Sequence, residues 1–149
     1  MTRKILLIGL FFLAVVPGIS HAAAKVSEIE REGLLLRVEL NRLGNSGDPF
    51  ERESILQKII DRCKGTEEGE AAYWDLADLY LDGFPEEMRQ EAREMLELCL
   101  RAYPKSNRST MVKCKLIGLY DDSAPRRKEL VSQLRKDNAL PSMLRSSIN

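Results

Sequence analysis

Apolar residues follow two different patterns along the chain. Ile5 to Val16 is an unbroken apolar run. Beyond Ala24 the apolar positions recur every three to four residues, the spacing of one helix face. From Val26 to Leu43 they are Val26, Ile29, Leu34, Leu35, Leu36, Val38, Leu40 and Leu43, with Gly33 weakening the middle. Gly44-Asn45-Ser46-Gly47 reads as a loop, and Asp48-Pro49 as the N-cap and first residue of a second helix. Its stripe is Phe50, Ile55, Leu56, Ile59, Ile60 and Cys63, ending at Gly65. Thr66 is the next N-cap, with Glu67, Glu68 and Glu70 placed where acids suit the helix dipole. Tyr73, Leu76, Ala77 and Tyr80 form the following stripe, which Gly83 ends, and Pro85 starts another helix. That one carries Ala92, Met95, Leu96, Cys99 and Leu100 and stops at Tyr103-Pro104. Ser106 or Asn107 caps a helix bearing Met111, Val112, Leu116, Ile117, Leu119 and Tyr120. A turn at 121–125 leads into a helix from Arg126 to Lys136. No segment has the alternation of a strand.

The fold class expected is therefore all-α. The helices group into antiparallel hairpins at 26–64, 68–102 and 108–136, because the loops within them are short. Residues 137–149 form a tail or one short helix. Equivalent points recur at about 36–40 residues, as with Cys63 and Cys99, and a period of that size in helix pairs points to a stacked solenoid. The alternative is a plain helical bundle.

The apolar run at the N-terminus changes the picture. Arg3 and Lys4 precede it, Pro17-Gly18 follows it, and Ser20, Ala22, Ala23 and Ala24 come next. That is the order of a secretory signal peptide, residues 1–22, with a cut after Ala24 as the alternative. The run is too short to span a bilayer comfortably, so no transmembrane span is expected after cleavage. The expected location is the periplasm, with secretion as the alternative. Cleavage removes His21, the one histidine. Without imidazole, Ser-His-Asp and Cys-His catalysis and His-ligated metals are excluded. No metal or other cofactor is expected.

The middle of the chain resembles a tetratricopeptide repeat of the bacterial cell envelope. Tyr73, Leu76, Ala77 and Tyr80 match its first helix; Ala92, Leu96, Cys99 and Pro104 match its second, at the family's steps of four, three and five. The match covers residues 69–122. The turn from Leu81 to Glu87 is longer than usual, residues 26–64 lack the Tyr and the closing Pro, and Lys113 stands where a bulky residue belongs. The resemblance implies a concave face, lined by first helices, that takes a protein or peptide. By position Ala71, Trp74, Asp78 and Leu81 would line it, with Trp74 as anchor or, equally, as a core residue.

Cysteine and charge add two further expectations. An exported chain can form disulfides, and Cys99 with Cys114 is the candidate pair; the alternative is three small buried thiols. The net charge of zero argues against a nucleic-acid binder on average. It hides a strong asymmetry: residues 65–97 carry 11 acids and two basic residues, and residues 98–149 carry 11 basic residues and four acids. The densest basic patch is Arg126, Arg127 and Lys128. Such ends could join copies into a homo-oligomer. No carboxylate pair stands out as a glycosidase couple. The function expected is a non-catalytic exported scaffold or adaptor. The alternatives are a structural subunit associating through its charged ends and, remotely, a carboxylate-dependent cell-wall hydrolase.

Overall fold

A computed structural model describes residues 17–84, 88–139 and 141, with side chains described from residue 28. The helices are α1 (Pro17–Leu43), α2 (Pro49–Arg62), α3 (Glu67–Asp78), α4 (Arg89–Ala102), α5 (Ser109–Leu119) and α6 (Pro125–Lys136). No strand occurs among the described residues. Each helix packs on the next in chain order, and α1 also reaches α3, as in a helical repeat. None of these helices is long and apolar enough to cross a membrane.

The caps form where the sequence places them. The Asp48 carboxylate accepts from the Phe50 amide at 3.1 Å, with Pro49 as the first helical residue. The Thr66 hydroxyl accepts from the Gly69 amide at 3.2 Å. At α5 the outcome differs. The Ser106 hydroxyl accepts from the Arg108 amide at 2.9 Å, one turn before the helix proper, and Asn107 is exposed. The left-handed Asn138 (φ 51°) closes α6, and the Ala139 amide returns to the Leu134 carbonyl at 2.9 Å, a Schellman-type end.

The start of α1 and the end of the third helix differ from the sequence expectation. α1 begins at Pro17, not Val26, and runs through both candidate cleavage positions. The N-terminal charges and the apolar run at 1–16 lie outside the described residues, as do Pro85, residue 140 and 142–149 of the expected C-terminal tail or short helix. The third helical stripe ends at Gly83 as expected, but not as an α-helix. It widens at Leu79 into a π-helical turn, Leu79–Gly83, and the Met88 amide then reaches back to the Tyr80 carbonyl at 2.9 Å.

The core runs along the stack from Leu40 and Ile59 through Leu76 and Leu96 to Leu116 and Leu134. Of the positions that carry the repeat resemblance, Leu76, Ala77, Tyr80, Ala92, Leu96 and Cys99 are buried. Tyr73 stands edge-on to Tyr103, and Pro104 is exposed. Gly33, a weak point by propensity, is a close approach: a Cβ there would lie 3.1 Å from the Cys63 sulfur and 3.3 Å from Glu68. Tyr103 joins α4 to the α2–α3 loop, its hydroxyl accepting from the Gly65 amide at 3.1 Å.

All three cysteines are free thiols, so the expected Cys99–Cys114 bridge is not formed. The physical reason is direction: the Cys99 sulfur is turned to the Glu70 carbonyl of α3, and Cys99 is buried while Cys114 is half-buried. The Cys63 sulfur faces the Ile29 carbonyl at 3.7 Å. Burial pushes the Cys99 thiol up to about 11 and raises Cys63 and Cys114 as well, so access separates them: Cys63 and Cys99 are buried and Cys114 is half-buried. Thiolates are the reactive species. Native protein at pH 8 should therefore expose one thiol, Cys114, to an aromatic disulfide reagent on the minute scale, and three after denaturation. Three fast thiols in native protein would contradict this packing.

Candidate functional site

The first helices of the three hairpins, α1, α3 and α5, share one open groove of about 770 Å³. That lies within the range of about 300–1,000 Å³ common for ligand sites. Leu40, Leu56 and Leu79 are its apolar lining. Its polar lining alternates in sign. Arg37 of α1 pairs with Asp75 of α3, and Lys115 of α5 pairs with Asp78. Asn41, Asn45, Arg52 and Asp82 complete it.

Two cations here have unusual settings. The Lys115 ammonium also lies 4.4 Å from the centre of the Trp74 ring, a cation–π contact. Burial lowers its pKa, and the Asp75 carboxylate works the other way. Arg52 projects from the first turns of α2, and its Nε is buried without a hydrogen-bond partner among the described residues. An unsatisfied buried donor carries a desolvation cost of about 1–3 kcal/mol, more when charged.

Of the four groove residues named from the sequence, Asp78 lines the groove. Trp74 stands half-buried beside it under Lys115. Leu81 lies in the π-turn and packs against the core, and Ala71 is half-buried on α3 outside the groove lining. The face that lines the groove is Asp75, Asp78, Leu79 and Asp82, a step further round α3. Their i, i+3, i+4, i+7 spacing is legible in the sequence as an acidic stripe. Arg37, Arg52 and Lys115 carry no such signal, since each comes from a different helix.

The charged blocks meet each other within one chain. Arg108 pairs with Glu67 at 3.3 Å, Lys115 with Asp78, and Arg126 clasps Glu97 with two donors at 2.7 and 2.6 Å. Arg127 pairs with Asp122 and donates to the Ile117 carbonyl; Lys128 is exposed. So two of the three residues of the basic patch face carboxylates. The Arg126 guanidinium holds the Glu97 carboxyl below its ordinary value. A depressed carboxylate stabilises the fold above the unfolded-state pKa, about 4.3, and that contribution is lost as pH falls through the lower folded value. Glu97→Gln should flatten the acid limb of stability below about pH 5. An unchanged limb in urea titrations at pH 3 to 6 would show that Glu97 has no part in it.

Among the described residues no group of three or more Cys, Asp, Glu or His has the arrangement of a metal site. No protein-family model, no curated protein and no solved structure matches the chain.

Proposed function

We propose that this protein is an exported, non-catalytic adaptor of tetratricopeptide type that holds a segment of a partner protein in the groove between α1, α3 and α5. The signal at 1–22 directs it to the periplasm and is removed there. The observation that carries the proposal is the groove itself, open and lined by paired charges, with Arg52 on its wall. Arg52 stands half-buried on the groove wall, where a carboxylate or carbonyl of a partner segment would gain a charge-assisted hydrogen bond from its guanidinium. Burial of the tetratricopeptide-pattern positions supports the same view. Catalysis is not part of this reading. Asp75 and Asp78 each face a cation, whereas a general acid needs a carboxyl held in its protonated form.

Site-specific photo-crosslinking in expressing cells tests it. A photoreactive residue replacing Asn45, on the groove rim, should give a discrete adduct with another protein. One replacing Ser132, on the exposed side of α6, should not. Arg52→Ala should lower the Asn45 yield. Equal adducts from both positions would sink the groove assignment.

A further inference from the structure

α1 has two faces of different fate. Ile29, Gly33, Leu36, Leu40 and Leu43 pack inward on α2 and α3. On the opposite side Leu34, Leu35 and Val38 stand 58%, 61% and 50% exposed. The far end of the stack is finished differently. There α6 buries Leu130, Val131 and Leu134 and leaves Lys128, Ser132, Arg135 and Lys136 exposed, the polar outer face that closes a helical stack. On α1, by contrast, three large apolar side chains stand exposed among the charged ones.

Four exposed charged residues frame the apolar three: Glu28, Arg31, Glu39 and Arg42. At 3.6 residues per turn they share the face of Leu35. Their order is self-complementary. Arg31 and Glu39 lie four residues before and after Leu35, and Glu28 and Arg42 lie seven before and after. A two-fold axis through Leu35 lays a second α1 antiparallel to the first. It sets Arg31 against Glu39 and Glu28 against Arg42, each pair twice, and brings Val38 level with Glu32, whose carboxylate is held by Arg62. A parallel arrangement would set Arg31 against Arg31 and is repelled. Among the described residues α6 exposes no large apolar side chain, so a head-to-tail chain of copies is not favoured.

We infer that the outer face of α1 is the seat of a symmetric, antiparallel contact between two copies of this chain. Leu34, Leu35 and Val38 form its core, and the two kinds of ion pair set its direction. Such an isologous contact closes at two. One helix pair is a small interface, so the dimer is weak, with a dissociation constant of roughly micromolar or above. The groove borders this face, since Asn41 lies one turn beyond Val38, but Leu35 and the four framing charges are not part of its lining.

Sedimentation velocity of the protein, expressed from its whole coding sequence and purified as the cell processes it, tests the inference. From about 5 to about 500 µM the parent should pass from monomer to dimer, a range that brackets a weak interface. Leu35→Glu should remain monomeric throughout while unfolding at the parent's midpoint, since it alters an exposed position. Arg31→Glu should weaken association about tenfold or more, and adding Glu39→Arg should restore it to within about threefold, the signature of a coupled pair. A parent that stays monomeric overturns the inference. So does a Leu35→Glu protein that still dimerises, or a doubly exchanged protein that does not recover.

Discussion

Gly69→Ala should unfold the protein about 10 °C or more below the parent, a loss of roughly 2–4 kcal/mol. Helix propensity alone argues the other way, favouring Ala over Gly by about 1 kcal/mol. The packing overrides it. Gly69 is buried in the first turn of α3, and a Cβ there would lie 2.2 Å from the Cys63 carbonyl oxygen and 2.7 Å from the Tyr103 hydroxyl. Neither neighbour is free to yield. The Cys63 carbonyl accepts from the Thr66 hydroxyl at 2.8 Å and from the Thr66 amide at 3.2 Å. The Tyr103 hydroxyl holds the Gly65 amide. The methyl must therefore lift α3 off its own N-terminal loop or detach the end of α4. Gly118→Ala is the control, because α5 leaves open space around that position. It should stabilise by about 0.5–1 kcal/mol, as propensity dictates. Thermal melts of the two variants decide the matter. If Gly69→Ala melts with the parent, the approach of α3 to Cys63 is looser than described.

The same contrast marks what the sequence could and could not convey. Helix number, order and most caps were legible because they depend on local chemistry: Asp48-Pro49 and Thr66 do in the structure what their side chains do in any helix start. Gly33 and Gly69 were not, because a glycine that weakens a helix and one that lets two elements touch look alike until the neighbour is known. The 11 acids of 65–97 and the 11 basic residues of 98–149 were countable, but their pairing across hairpins depends on how α3, α4, α5 and α6 stack. The groove divides similarly. The acidic stripe on α3 has a period, whereas Arg52 is one charged residue on an otherwise ordinary amphipathic helix. Its significance lies in a buried Nε without a partner. The π-turn after Asp78 carries Leu81 toward the core, which a plain helical projection from Trp74 could not anticipate.

Leu76→Ala should cost roughly 3–4 kcal/mol and lower the whole unfolding transition. Leu76 is fully buried in the last turn of α3, and α3 packs on both α2 and α4. Truncation leaves a cavity between two interfaces at once. In a stack whose elements touch mainly their neighbours, stability is close to a sum of local and nearest-neighbour terms. Loss at the centre therefore weakens the coupling of both halves. Leu134→Ala removes the same atoms from an equally buried site, but on α6, which packs chiefly on α5 and reaches α4 through the Arg126–Glu97 pair. Its cost should fall on the last hairpin, with the rest of the stack intact. Native-state hydrogen exchange separates the two outcomes. Leu76→Ala should speed exchange in α2, α3 and α4 together. Leu134→Ala should speed it in α5 and α6 while α2 and α3 keep the parent's protection. Uniform acceleration in both variants would mean that the chain unfolds as one cooperative unit, and that the nearest-neighbour stack is the wrong description of how its helices hold together.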